Sequence, residues 1–272
     1  MKRYPAQDME PAERDPVKLR RTAFILVGMM VLGAVFVLIA YNRDAARRAE
    51  DDRPAMISRI NGNFRLWRQD ESEAALLDME GKVIVIAPVV FSQSDWGATR
   101  EALKALAERY EEGGEVRVLM LTLDPESESP EKLAQYAEEL GAELPFWWLA
   151  AARDESVHKF VKNRLKANLY PYQEDGVWIY DPSLVLVDRH RHIRKPTIRM
   201  RKPSGKWLNE RVPVNLDFVE AARLDAEGIP AGYEWDEEGN QMPISASNVE
   251  AMKELLFKTV DQLLAEDHGS TS

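Results

Sequence analysis

The sequence contains no cysteine. That excludes disulfides, thiolate nucleophiles, zinc–thiolate centres and iron–sulfur clusters. Histidine occurs only four times. No G-x-S-x-G elbow is present to suggest a hydrolase triad, and no glycine pattern that cradles phosphate. Positive charge is not in excess either. The formal net charge is −10 at pH 7, whereas general nucleic-acid binding needs a positive field. Internal repeats and low-complexity tracts are absent. A cysteine-free chain suits a reducing or an oxidising compartment, so redox usage does not locate it.

What is present fits a folded protein. Of the 272 residues, 45% are hydrophobic and 30% charged, enough for one ordinary domain plus attachments or two small domains. Residues 23–41, "AFILVGMMVLGAVFVLIAY", carry no charge. At about 1.5 Å per residue they reach roughly 28 Å, close to the ~30 Å hydrocarbon core of a bilayer. The run exceeds a signal-peptide core, and no small-x-small cleavage site follows it. An uncleaved transmembrane helix is therefore expected, with the lipid bilayer as its partner. Lys2, Arg3, Arg14, Lys18, Arg20 and Arg21 precede the span, and Arg43, Arg47, Arg48 and Arg53 follow it. The bias weakly favours residues 1–22 as a cytoplasmic segment. The rest of the chain then faces outward, into the periplasm in a bacterium.

Residues 42–74 read as a polar stalk, with a short strand or hairpin at "INGNFRLW" turning at Asn61-Gly62. The apolar strand Val83–Ala87 follows, and at Pro88 it is expected to end or to reach an edge. The loop "FSQSDWGAT", 91–99, leads into a helix marked by Leu103, Leu106, Ala107 and Tyr110. Either Ser94 or Asp95 is a suitable cap. "VRVLMLTL" is a second buried strand, and Ser129-Pro130 opens a helix that Gly141 stops. "LPFWWL" is a third strand, with Trp147 and Trp148 read as packing residues. Val157, Phe160, Val161 and Leu165 mark another helix. "GVWIY" and "LVLVD" are expected as a closing hairpin turning at Asp181-Pro182-Ser183. Residues 196–246 form an insertion with a short helix near 216–224. In the last helix, Ser247 and Glu250 form a capping box, and Val249, Met252, Leu256, Val260 and Leu263 a buried stripe. Strands alternating with helices predict parallel crossovers. The fold class is thus α/β, a thioredoxin-like mixed sheet flanked by helices over 75–272.

Two motifs carry a resemblance. "FSQSDWGAT" sits where a T-x-C-P-D-x-C-P-T loop would stand, with Asp95 and Thr99 matching. "LDPESESPE", 123–131, is similar to V-D-P-x-x-D-T-P-E, with Asp124, Pro125, Pro130 and Glu131 in place. The chain thereby resembles the Sco (SenC) family of membrane-anchored, thioredoxin-like copper chaperones for cytochrome c oxidase, over roughly residues 75–195 and the last helix. The resemblance implies this fold and, as partners, respiratory oxidase subunits or other membrane assembly factors. It also implies two cysteines and a histidine as copper ligands. Here Gln93 and Gly97 hold the cysteine positions, and Tyr180 or Asp181 the histidine position. Copper(I) favours soft thiolates, and thiol exchange needs a thiolate, so no metal, cofactor or catalytic residue is expected at this loop. Trp96 and Asp95 are expected as exposed contact residues.

Other candidates compete with plainer readings. His190 and His192 in "DRHRHIRK" would share one face of a strand and could meet one metal, as an alternative function by enzyme or metal chemistry. A polar hairpin end explains them better, since no third ligand stands at the usual spacing. Arg191, Arg199, Arg201, Lys202 and Lys206 form a basic band able to dock an acidic partner or headgroups, or merely a solvated strand. His158 is read as a surface residue, and His268 as part of a frayed tail. "DEEGN", 236–240, lacks calcium-loop spacing. A purely structural envelope protein is the remaining alternative.

Overall fold

The computed structural model describes residues 15–201, 207–235 and 241–266. Lys202, Lys206, the "DEEGN" stretch at 236–240 and His268 lie outside the described residues, as does the Arg201 side chain. The chain divides into two compact units, residues 1–51 with 201–210, and residues 52–200 with 211–272.

In the first unit, helix α1 runs Pro16–Glu50. Asp15 caps it, its Oδ1 accepting from Val17 N at 2.9 Å and Lys18 N at 3.3 Å, and Pro16 takes the first helical position. Residues 16–44 of this helix are long and apolar enough to cross a membrane, with none of the apolar window buried within the chain. The helix extends beyond the uncharged run at both ends, because polar residues such as Lys18, Arg20 and Arg47 are good helix formers too.

The second unit contains β1 (Ala55–Arg59), β2 (Arg65–Arg68), β3 (Glu73–Ala75), β4 (Val83–Val89), α2 (Gly97–Tyr110), β5 (Val116–Thr122), α3 (Pro130–Leu140), β6 (Trp147–Ala151) and α4 (Ser156–Asn163). Then come β7 (Tyr172–Glu174), β8 (Val177–Ile179), β9 (Val185–Val187) and β10 (His192–Lys195). Strands β11 (Thr197–Arg201) and β12 (Trp207–Pro213) precede α5 (Phe218–Ala226), and β13 (Tyr233–Trp235) and β14 (Gln241–Pro243) precede α6 (Asn248–Glu266). One eight-stranded sheet has the order β1-β10-β9-β4-β5-β6-β2-β3. Strands β4, β5 and β6 are parallel, and β9 runs antiparallel to β4. This is a thioredoxin-like mixed sheet.

Alternation along β4 builds both faces. Val83, Val85, Ala87 and Val89 join α2, α3, α5 and α6 in one apolar cluster, and Ile84 and Ile86 join α4 in the other. All of β4 is buried, as expected for a parallel strand covered on both sides.

Several expectations need correction. The 42–74 stalk instead contains β1, β2 and β3, and β1 and β2 lie far apart in the sheet rather than pairing across Asn61-Gly62. Pro88 does not end β4 but stands where one side of the strand becomes an edge. Val83 N bonds Glu115 O and Leu123 N bonds Val89 O, so alternation aims the Pro88 nitrogen away from β5. β9 covers β4 only from Ile84 to Ile86, and no ladder bond is lost. "GVWIY" does not pair with "LVLVD". It folds back on Tyr172–Glu174 as a separate two-stranded sheet, because Asp175 (φ +51°) and Gly176 (φ +81°) form the tight turn. The closing hairpin is β9–β10. The 196–246 insertion is partly core. Leu184 pairs with Leu216, and Phe218 of α5 is fully buried.

Candidate functional site

Strand β4 delivers the chain to Phe91, and α2 begins at Gly97. The intervening loop is fixed from three directions. Its own turn closes through Gln93 N to Val90 O at 3.1 Å. Neither Ser94 nor Asp95 caps α2. The capping position belongs to Trp96, which makes no side-chain capping bond. Trp96 is not an exposed contact residue either: it is only 9% exposed. Its ring packs edge-on against Phe91 at 5.7 Å, with Arg100 over its other face at 5.8 Å. An indole surrounded by apolar neighbours gains more by burial than by exposure. Asp95 is exposed.

The second fixing point is the elbow after β5. Thr122 is fully buried, and its hydroxyl donates a short hydrogen bond to Glu128 Oε2 while accepting from Asp124 N at 3.0 Å. Glu128 Oε1 accepts from Ser92 N at 2.8 Å, in the loop itself. Asp124 Oδ1 accepts from Ser127 N at 3.2 Å, and Asp124 O from Glu128 N at 2.9 Å. Burial pushes the Glu128 carboxyl up, only partly opposed by the bonds from Thr122, Ser92 and Phe91. The elbow motif therefore shapes the loop. Glu128 stands where the family pattern has an aspartate, which was the signal in the sequence for its role.

The third fixing point is Gln93. Its Oε1 accepts from Trp178 N at 2.8 Å, and its Nε2 donates to Trp178 O at 3.3 Å. The carboxamide thus pairs with the edge of β8 as a neighbouring strand would. Gly97 offers no side chain, although a Cβ there would meet nothing within 4 Å. Tyr180 lies largely buried beside this loop, and burial, with the carboxylates of Asp95, Glu128 and Asp217 adding to it, pushes its phenol up. Asp217 is itself raised by burial. The three positions that the resemblance aligns with copper ligands hold an amide already engaged, no donor atom, and a phenol pushed up by burial. They do not fit copper(I).

His158 is buried, not a surface residue, at 3% exposure. Its Nε2 lies 2.8 Å from Leu123 O, and because a carbonyl only accepts, this nitrogen donates. The ring packs against Trp178 at 5.0 Å and Tyr170 at 6.1 Å. Its helical periodicity with Val157 and Val161 would have placed it inward, had its polarity not argued otherwise.

His190 and His192 do not share a strand face. Arg191 between them has φ +68°, a tight turn, and only His192 enters β10. Their rings are 6.4 Å apart. Asp188 organises this turn: Oδ1 accepts from His190 N at 3.0 Å and His192 N at 2.8 Å, and Oδ2 faces His192 Nδ1 at 3.2 Å. Among the described residues, no group of three histidines or acids is placed to hold a metal. Of the basic band, Arg191 meets an acid, as do its neighbours Arg189 and Arg194. Arg189 pairs with Glu115 at 2.9 Å and Arg191 with Glu80 at 3.3 Å. Arg194 is buried against Asp188 and Glu266. Arg199 is exposed on β11.

No family model matches the chain, and no curated protein matches it. Solved structures do. A Sco/SenC family lipoprotein from Bacillus anthracis is 20% identical, covering 52% of this chain and 84% of its own, with a TM-score of 0.47. BsSco, a member of the Sco family of cytochrome c oxidase assembly proteins, is 19% identical over 52% and 84% of the two chains, TM-score 0.45. Bradyrhizobium japonicum ScoI with copper bound is 19% identical over 51% and 89%, TM-score 0.40. The likeness is to Sco/SenC proteins, as the two motifs led one to expect.

Proposed function

We propose that this chain is a divergent, membrane-anchored Sco-like protein that acts by binding rather than by copper or thiol chemistry. Its role is that of an accessory or scaffold factor in assembly of cytochrome c oxidase or a related respiratory complex. α1 anchors it in the bacterial inner membrane, and the thioredoxin-like unit faces the periplasm. One observation carries the reading. The elbow Thr122–Glu128 still shapes the loop through Ser92, while Gln93 spends its carboxamide on Trp178. A loop whose architecture is kept and whose chemistry is gone serves as a surface. The absence of cysteine rules out a thiolate mechanism.

The test is affinity purification of the full-length tagged chain from native membranes, followed by identification of co-purifying proteins. Oxidase subunits or their assembly factors are expected to co-purify, and loss of the gene is expected to lower assembled oxidase. Normal oxidase levels without the gene, together with no respiratory protein in the eluate, would overturn the proposal.

A further inference from the structure

We propose that Asn61 is a site of spontaneous covalent modification, closing a cyclic imide with Gly62 that opens to aspartyl and isoaspartyl forms. Asn61-Gly62 is the single Asn-Gly pair in the sequence. The fold leaves it outside every strand, between β1 and β2. Its flanks are fixed. Ile60 is buried, and its N–H donates to Arg191 O at 2.8 Å. Asn63 Oδ1 accepts from Phe64 N at 3.0 Å and Leu77 N at 3.2 Å, and Phe64 stacks on Phe160 with ring centroids 4.0 Å apart. Between these anchors Asn61 and Gly62 are exposed, and among the described residues neither forms a hydrogen bond. Gly62 has φ +93°, and a Cβ there would meet nothing within 4 Å. The pair stands in open space.

The chemistry needs no group from elsewhere in the chain. Base in the solvent takes the Gly62 amide proton, and the nitrogen attacks Cγ of Asn61. The C–N bond of the carboxamide breaks and ammonia leaves. Water then opens the imide, giving aspartate by cleavage at the side-chain carbonyl and isoaspartate by cleavage at the main-chain carbonyl. Asparagine and water thus become a carboxyl group and ammonia, with no change of oxidation state. Attack within one dipeptide holds the reacting atoms close, and glycine has no side chain to shield its nitrogen. Asn61 must still turn until the Gly62 nitrogen faces Cγ, and a residue outside any ladder is free to do so. The product adds a negative charge, and its isoaspartyl form lengthens the main chain by one methylene between Ile60 and Asn63. Asp175-Gly176 is held differently, in a turn whose flanks Glu174 and Val177 pair, and an ionised carboxylate is a poor electrophile. The inference does not depend on the proposed respiratory role.

The test ages the full-length chain in detergent in mildly alkaline buffer and follows each asparagine by peptide mass spectrometry, with aspartyl and isoaspartyl forms separated. The Asn61 peptide is expected to gain a single mass unit, faster as pH rises. Its rate is expected to stay within about tenfold of that in the urea-unfolded chain, as for a segment whose opening costs almost nothing. Asn61→Gln, which would need a larger ring, is expected to lose the product with the fold intact. Conversion slowed beyond that range by folding would overturn the proposal. So would conversion of Asn63 in the folded chain as fast as that of Asn61.

Discussion

Glu128 and Asp188 are both buried carboxylates, and their surroundings push them in opposite directions. Burial raises each. At Asp188 the bond from His192 N and the guanidinium of Arg194 outweigh it, and the carboxyl sits below its ordinary value. At Glu128 the partners are backbone N–H groups and the Thr122 hydroxyl, and no cation contributes, so the carboxyl sits above its ordinary value. The difference separates two kinds of work. Arg194 bridges Asp188 at 3.0 Å, Glu266 at 2.6 Å and Pro54 O at 2.9 Å, clamping three remote segments. Glu128 positions one short loop with dipoles alone.

The largest effect is expected at the clamp. Arg194→Met leaves a buried carboxylate unanswered and should cost about 3–5 kcal/mol in denaturant unfolding. Adding Asp188→Asn should return part of it, and a single-variant loss below about 1 kcal/mol would break the contrast. Glu128→Ala comes next, at about 2–3 kcal/mol, since it orphans Ser92 N and the Thr122 hydroxyl. Glu128→Gln should behave differently. Its oxygen still accepts from Ser92, but its amide can only donate toward Thr122 and leaves that buried O–H without Glu128 as acceptor, so the loss at pH 7 should be smaller than for alanine.

The pH dependence sharpens the same comparison. With its folded value raised, Glu128 binds a proton in the folded state before the unfolded chain does. Its destabilising charge is therefore relieved as pH falls through the folded value toward the ordinary 4.5. The stability of Glu128→Gln relative to the parent should therefore fall over that range. Asp188 works in reverse: its contribution is complete above the ordinary 3.8 and is lost as pH falls through the lowered folded value. Stability curves of the parent and both variants between pH 7 and 3 check the signs. The smallest effect is expected at exposed Arg199, where alanine should change stability by less than about 0.5 kcal/mol.

The helices and the parallel core were legible because each carries a long apolar period. Leu103, Leu106 and Tyr110 point into one cluster, and Val157, Phe160 and Val161 into the other. The edge strands were legible only in part: "INGNFRLW" covers most of β2, but its pairing was not read. β2 and β3 are short and polar, and their place beyond β6 is set by pairing across the sheet, which periodicity does not record. "GVWIY" misled because an apolar run looks the same in a core strand and in a small hairpin, and the Asp175-Gly176 turn was the discriminating signal. At the site, the lack of cysteine and histidine in the loop was visible from its residue types. The carboxamide of Gln93 meeting Trp178, 85 residues on, was not, because only the fold brings them together.

The most direct measurement is a copper(I) titration of the full-length chain in detergent against a chromophoric chelator of known affinity. A loop with an engaged amide, a glycine and a protonated phenol at the ligand positions predicts that the chelator keeps the copper at every ratio. Tight uptake of one copper per chain would contradict the account.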